Sequence, residues 1–228
     1  MTPRTRLIIV NSPHNPSGAI WSADDVSRLA ALTREHDLFV ISDEVYEHIV
    51  FDSRRHESVL RSPELAARAF VISSFGKTYH CTGWKVGYCI APAALTAEFR
   101  KVHQYNTFAT STPAQWAFAG MLSAHPEHAA ALGAFYQGKR DRFREQLSRT
   151  RLRALAVSGS YFQLVDYSAI SDLQDDAFAH WLCTTHGVAS IPLSPFYSAP
   201  PADQRIVRLC FAKHDATLDA AVARLELM

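Results

Sequence analysis

Polar side chains follow three short apolar runs of the chain, at points where strands would end. The runs are followed by Asn-Ser-Pro-His-Asn-Pro-Ser-Gly at 11–18, Asp-Glu-Val-Tyr at 43–46 and Ser-Ser-Phe-Gly-Lys at 73–77. Because ligands of open α/β sheets bind at the carboxyl ends of the strands, parallel neighbouring strands would bring these groups into one crevice. Together they suit a polar aromatic cofactor, since a carboxylate can pair with a cationic ring nitrogen and a lysine with a carbonyl carbon.

The elements that would position these groups alternate between strand and helix. Residues 7–10 form a β-branched apolar run, typical of a strand that is buried on both faces. Ser22 is a predicted helix cap, and an apolar stripe continues that helix to about His36. Further elements predicted in this half are strands at 38–41 and 69–72 and a short helix at 60–67.

A fourth strand is predicted at residues 86–91. The connection that precedes it, 73–85, is too short for a helical crossover with its loops, so we expect this strand to be antiparallel. Residues 113–147 have helical character, interrupted near Pro126. Later predicted elements are strands at 161–165, 188–191 and 207–211 and helices at 176–186 and 218–227. The pattern predicts a large α/β domain in residues 1–118 and a small α+β domain, with its linking helix, in residues 119–228.

The composition narrows the class of protein. The chain has 228 residues, of which 48% are hydrophobic and 20% charged, so it is not a disordered chain. Lys+Arg 23 against Asp+Glu 22 leaves a net charge of +1, which gives no indication of a nucleic-acid partner. No apolar run approaches the roughly 18 residues that span a bilayer. The four cysteines form no CxxC pair, so we expect neither a metal site nor a disulfide framework, and a reducing cytoplasm.

The segment Gly76-Lys77-Thr78 matches the end of a P-loop, but its spacing excludes a nucleotide hydrolase. A P-loop needs another glycine five positions before its last one, and Val71, inside a predicted strand, occupies that position. No Gly-x-Gly-x-x-Gly follows a strand either, so a dinucleotide-binding fold is not predicted.

Taken together, the three polar segments resemble the class I aminotransferases, which are pyridoxal 5′-phosphate enzymes of fold type I. Asp43 lies 28 positions after Asn15, and Lys77 lies 34 positions after Asp43. Gly-Trp-Lys at 83–85 and Val-Arg-Leu-Cys-Phe at 207–211 extend the resemblance over essentially the whole chain, which looks closest to the methionine and kynurenine aminotransferase branch. The implied fold is the C-terminal part of the large domain, a mostly parallel sheet with helices on both faces, followed by the small domain.

The resemblance implies a role near the cofactor for each polar residue. Lys77 would form the Schiff base with the cofactor aldehyde and act as the catalytic acid and base. Asp43 would pair with the pyridinium nitrogen, and Asn15 and Tyr46 would bind the phenolate oxygen. Asn15 would also contact the substrate, with a cis peptide bond before Pro16. The simpler interpretations are a solvated lysine, a helix-capping aspartate, a turn asparagine and a core tyrosine.

The resemblance also implies contacts with the phosphate and the substrate. Ser74 and Lys85 would bind the cofactor phosphate, although most of the family has arginine in place of Lys85, and lysine lacks the bidentate fork. Arg208 would bind the substrate α-carboxylate. The simpler alternatives are a turn hydroxyl for Ser74, a strand-end surface charge for Lys85 and an ion pair of Arg208 with Asp166 or Asp215.

The implied reaction is transamination of an L-amino acid, of the methionine or aromatic type, with a 2-oxo acid. Two alternatives remain open, a C–S β-lyase on the same fold and a truncated, non-catalytic remnant. Family members are longer by roughly 150 residues at the N-terminus, about one domain, so the chain resembles the C-terminal portion of one. We therefore expect an exposed sheet edge and exposed apolar surface, and a homodimer for the longer protein, without nucleic-acid or membrane partners.

Overall fold

The computed structural model describes all 228 residues, which divide into two compact units. The first unit comprises residues 1–13 and 20–132, and the second comprises residues 14–19 and 133–228. The domain division after residue 118 stays a prediction. The chain contains no helix that is both long enough and apolar enough to cross a membrane.

The first unit contains a four-stranded sheet in the order β1-β2-β3-β4. The first three strands are parallel neighbours and the fourth pairs antiparallel with the third, as predicted from the short connection. The apolar runs thus predicted the strands, and the short connection predicted the direction of the fourth one. The strands are β1 (Leu7–Asn11), β2 (Phe39–Asp43), β3 (Ala69–Ser74) and β4 (Gly87–Ile90).

Serine side chains cap three of the helices of this unit. Helix α1 (Ala23–Glu35) begins at Ser22, whose side chain accepts from the backbone of Asp25 while the Asp25 carboxylate accepts from the backbone of Ser22. The single helix predicted at 60–67 was wrong, because Ser62 ends a 3₁₀ turn and caps a new helix. The remaining elements are the 3₁₀ turns Val59–Arg61 and Thr82–Trp84 and the helices α2 (Pro63–Ala66), α3 (Phe75–Thr78), α4 (Ala93–Asn106) and α5 (Thr112–Ala124).

One face of the first sheet is packed and the other is exposed. Val10, Val40 and Val71 lie in a core cluster with residues of α1 and α2, such as Leu29 and Leu65. On the opposite face, four large apolar side chains stay exposed, and that of Ile9 is 67% accessible. The expectation that β1 is buried on both faces was therefore wrong. An apolar run shows which side chains favour burial, but it does not show which segment covers them. The exposed residues of this face are Leu7, Ile9, Phe39 and Ile72.

The second unit is built on an antiparallel sheet in the order β5-β6-β8-β7. Helix α7 ends at Gly187, which has a φ of 66° and takes the left-handed conformation that glycine adopts without strain. The strand predicted at 188–191 is reduced to two residues. The elements are α6 (His128–Leu147, of which 133–147 belong to this unit), β5 (Arg153–Ala154), β6 (Phe162–Asp166), α7 (Asp175–His186), β7 (Ile191–Pro192), the 3₁₀ turn Ser194–Phe196, β8 (Ile206–Cys210) and α8 (Asp215–Leu225).

Candidate active site

The carboxyl ends of β1, β2 and β3 bring polar side chains to one edge of the first sheet. Asn11 pairs with Asp43 in register, and Asp43 pairs with Ile72, two residues before Ser74. Because alternate residues of a strand share a face, Asn11, Asp43 and Ser74 lie on the same face at this edge. The ends of the first three strands therefore meet at one edge of the sheet, and a shared cofactor crevice stays a prediction.

Asp43 is half-buried, and both its carbonyl oxygen and its carboxylate accept hydrogen bonds. Its carbonyl oxygen accepts hydrogen bonds from the backbone nitrogen of Ser12 at 3.1 Å and from Nδ2 of Asn11 at 2.9 Å. Its Oδ1 accepts from the backbone nitrogen of Val45 at 3.3 Å. This hydrogen bond, from the backbone two residues on, forms an Asx turn rather than a helix cap. The carboxylate therefore has a defined place at the end of β2.

Tyr46 and Lys77 meet although they follow different strands. The side chain of Tyr46 is 3% accessible, and Lys77 is half-buried. Nζ of Lys77 lies 5.9 Å from the centroid of the Tyr46 ring, within the range of a cation–π contact. The contact places the amine of Lys77 beside the segment that begins with Asp43.

Lys77 lies on the four-residue helix α3, which has defined contacts at both ends. Ser74 caps the helix, since its Oγ accepts from the backbone nitrogen of Gly76 at 3.2 Å. The carbonyl oxygen of Thr78 accepts a hydrogen bond from Nε2 of His128 at 2.9 Å. A side chain at Gly76 would lie 2.9 Å from Cα of Thr82, so only glycine fits here. The turn hydroxyl expected as the simpler interpretation of Ser74 is thus present.

Lys85 is exposed and lies outside β4. It ends the 3₁₀ turn before that strand in a left-handed conformation, with φ 55° and ψ 42°. Its position agrees with a surface charge close to a strand, and a phosphate role for Lys85 stays a prediction.

Arg208 and Asn15 come together in the second unit. Nη1 of Arg208, on β8, donates a hydrogen bond to Oδ1 of Asn15. The guanidinium carbon lies 4.0 Å from the ring centroid of Phe162 and 5.9 Å from that of Phe196. The peptide bond between Asn15 and Pro16 is cis. A guanidinium held against aromatic rings keeps a fixed plane, which suits planar recognition of a carboxylate.

The two aspartates considered as partners of Arg208 contact other cations. Asp166 forms an ion pair with Arg153. Asp215 pairs with Lys139 at 2.6 Å and with Arg142 at 2.9 Å. Both carboxylates are therefore compensated by residues other than Arg208.

The profile of the family described as "Aminotransferase class I and II" matches residues 1–225. This chain belongs to that family. The family and the fold class predicted from the polar segments are therefore confirmed, and enzymes of this class depend on pyridoxal 5′-phosphate.

Individual members of this family are similar to the chain over its whole length. Methionine aminotransferase of Escherichia coli K12 is 56% identical over 225 residues, which cover 99% of this chain and 58% of the relative. Kynurenine–oxoglutarate transaminase 1 of Mus musculus is 34% identical, and this chain covers 58% of its length. The crystal structure of YbdL from E. coli, identified as having a methionine aminotransferase function, has a TM-score of 0.95 and 54% identity, over 100% of this chain and 59% of that one. The chain thus spans little more than half the length of these relatives.

Two glutamates of the first unit, one buried and one half-buried, were not predicted as site residues. Glu44 is 2% accessible and accepts from His56, and Glu47 accepts from Ser73 and Tyr88. Both lie within Asp-Glu-Val-Tyr-Glu, directly beside Asp43 and Tyr46. For Glu44, the available signal was its place directly after Asp43 at the end of a strand. Neighbouring residues of a strand point to opposite faces, so one of these two acids must point towards the core and needs partners there.

Proposed function

We propose that this chain carries the lysine-bearing part of a pyridoxal 5′-phosphate-dependent aminotransferase. The reaction is transfer of the amino group of an L-amino acid, of the methionine or aromatic type, to a 2-oxo acid. The observation that supports it most is the approach of Nζ of Lys77 to the ring of Tyr46, at 5.9 Å, beside the strand end that carries Asp43. The substrate class follows the methionine and kynurenine relatives.

The groups of the first unit fit the cofactor by their chemistry. Pyridoxal 5′-phosphate presents a ring nitrogen, a phenolate oxygen, an aldehyde and a phosphate. The half-buried carboxylate of Asp43 suits the ring nitrogen when that carries a proton, and the buried hydroxyl of Tyr46 suits the phenolate. Ser74 and the cation of Lys85 are the candidates for the phosphate, and Lys77 is the candidate for the aldehyde carbon.

Each residue then has one task in the mechanism. When bound, the cofactor supplies an electron sink for the pair released as the substrate Cα proton leaves. Asp43 would keep the ring nitrogen protonated, and Tyr46 would bind the phenolate oxygen, a role that the resemblance implies for Asn15 as well. Nζ of Lys77 would hold the cofactor and, when free, would take the Cα proton from the substrate and return it.

Substrate recognition belongs to the second unit. Arg208 would bind the α-carboxylate through two parallel N–H groups, with Asn15 and the Phe162 ring fixing the guanidinium plane.

The free thiols of all four cysteines support a reducing compartment, so we place the protein in the cytoplasm. From the family resemblance we propose a homodimer for the longer protein.

Covalent trapping tests the proposal on this chain. After incubation with pyridoxal 5′-phosphate, reduction with borohydride should fix the cofactor on Lys77, as found by peptide mass spectrometry. Lys77→Ala should remove the label, whereas Lys101→Ala, at an exposed helical site, should leave it. Label spread evenly over surface lysines, and unchanged by Lys77→Ala, would contradict the assignment.

The same experiment addresses the reaction. L-Methionine should lower the labelling of Lys77, because the amino acid takes the place of the lysine. Formation of more than one equivalent of 2-oxo acid per cofactor only when a second 2-oxo acid is present identifies transamination. Release of ammonia and pyruvate without that acceptor, from an amino acid that carries sulfur on Cβ such as L-cystathionine, would identify a β-lyase instead.

A further inference from the structure

Glu44 is a buried acid that the mechanism above does not use. It follows Asp43 directly, and only 2% of it is accessible to solvent. Its Oε1 accepts from Oγ of Ser42 at 2.8 Å and from the backbone nitrogen of Val59 at 3.1 Å. Its Oε2 accepts from Nε2 of His56 at 2.8 Å. Three donors from two segments of the first unit thus converge on one carboxylate.

Burial of a carboxylate is costly unless its oxygens are hydrogen-bonded. Burial acts to raise the pKa of Glu44, yet the hydrogen bonds from His56, Ser58 and Ser42 hold that pKa below its usual value. The group is therefore a carboxylate at neutral pH. The Glu44 carboxylate therefore requires these particular donors, because removing one of them leaves part of its buried charge without compensation.

The side chain of Glu44 lies on the face of the strand end opposite to that of Asp43. Successive residues at the end of β2 alternate, with Ser42 and Glu44 buried and Asp43 half-buried between them. The backbone nitrogen of Glu44 also donates to the carbonyl oxygen of Ile72 at 2.8 Å. The side chain of Glu44 therefore ties the segment that carries Asp43 and Tyr46 to the loop that contains His56.

We propose that the buried Glu44–His56 pair is a positioning device for the cofactor-binding segment 43–46. The pair holds the Asp43 carboxylate and the Tyr46 hydroxyl in the places that the cofactor requires, and it contacts neither cofactor nor substrate. The inference rests on the proposed function, since it assigns a purpose to the geometry of that site.

Two substitutions at His56 separate positioning from general stability. His56→Leu removes the donor to Glu44, whereas His56→Gln keeps an N–H donor at nearly the same reach. His36→Leu is the matched control, because it makes the same change at an exposed site beside Glu35. Glu44→Gln is a second route if the His56→Leu chain does not fold, since it keeps the shape of the side chain and removes its charge.

The first measurement needs no cofactor. The backbone amide of Val45 donates to Oδ1 of Asp43, so its hydrogen–deuterium exchange reports the position of that carboxylate. His56→Leu should speed exchange of this amide about tenfold, as expected for the loss of one charge-assisted hydrogen bond, while His56→Gln and His36→Leu stay near the parent chain.

The second measurement is the affinity for pyridoxal 5′-phosphate, followed by absorbance. His56→Leu should raise the dissociation constant about tenfold, with most of the loss restored by His56→Gln. A lower melting temperature with unchanged Val45 exchange and unchanged affinity would overturn the proposal and leave Glu44 a purely structural acid. If no variant, nor the parent chain, binds the cofactor, the proposed function fails while the exchange data still decide whether the pair positions Asp43.

Discussion

Tyr88 illustrates how a residue outside the motif shapes the candidate site. Its hydroxyl donates to Oε1 of Glu47 at 2.7 Å, and Oγ of Ser73 donates to the same oxygen at 2.6 Å. Glu47 follows Tyr46 directly, so this shared acceptor ties the segment after β2 to β3 and β4. Burial raises the pKa of Tyr88 to about 12, and the Glu47 carboxylate acts in the same direction.

We expect Glu47→Gln to lower the pKa of Tyr88, while burial keeps it above the ordinary value of 10.0. Removing the negative charge of Glu47 makes the phenolate less unfavourable, although Tyr88 stays desolvated. The measurement is ultraviolet absorbance of tyrosinate against pH, with the titration of a Tyr88→Phe chain subtracted to isolate this residue. An unchanged midpoint would show that Glu47 does not act on the phenol.

Glu44 makes stability depend on pH in a defined direction. Its pKa in the folded chain lies below the usual 4.5, so the folded state holds the proton less tightly than the unfolded state does. The resulting stabilisation is fully present above that usual value and is lost as the pH falls through the folded-state pKa.

Glu44→Gln should therefore flatten the fall of the unfolding free energy as the pH drops below the usual Glu44 pKa of 4.5. Urea unfolding at several pH values measures this, with Glu98→Gln on an exposed helix face as the control. A slope equal to that of the parent chain would mean that Glu44 carries no linked proton.

At the level of elements, prediction from sequence succeeded where a pattern is local. The apolar runs marked β1, β2 and β3, and the short connection marked β4 as antiparallel. Helix α4 was not predicted, although Leu95, Phe99 and Val102 follow helical spacing, and none of its residues is buried in the structure.

For the candidate site as well, local patterns were predictable from the sequence and long-range contacts were not. The motif spacing predicted that Asp43, Tyr46 and Lys77 belong to one edge of the sheet. The partners of Glu44 could not be found in this way, because His56 lies 12 residues away across an irregular segment. Which donor reaches a buried acid depends on tertiary folding rather than on spacing.

Gly87 carries a prediction about the pairing of β3 and β4. A Cβ at this position would lie 2.5 Å from the carbonyl oxygen of Ser73, so Gly87→Ala must push the two strands apart. We expect a loss of about 1–3 kcal/mol in the free energy of unfolding. Gly83→Ala, where a Cβ meets nothing within 4 Å, should change it by less than about 0.5 kcal/mol. Urea unfolding of both variants makes the comparison, and equal effects would contradict this account.

For the molecule as a whole, the exposed face of the first sheet is the unusual feature. Leu7 pairs in register with Phe39, and Ile9 pairs with Ile41, so the exposed apolar side chains are neighbours across strands. Parallel sheets are normally covered on both faces. The chain spans about 58% of the length of its curated relatives, and the polar end of this face is where Asp43 lies.

A dye that binds exposed apolar surface, such as anilinonaphthalene sulfonate, should therefore bind the folded chain at this face. The double variant Ile9→Thr with Phe39→Thr places a strand-favouring β-branched residue at both positions but removes much of the apolar area, so dye fluorescence should fall at least about twofold. Trp116→Gln, on α5, is the control, because Trp116 is 75% accessible but lies outside the sheet. Circular dichroism must show that both variants remain folded. If the control lowers fluorescence as much as the double variant, the dye does not report this face, and its apolar side chains are not the dominant accessible surface.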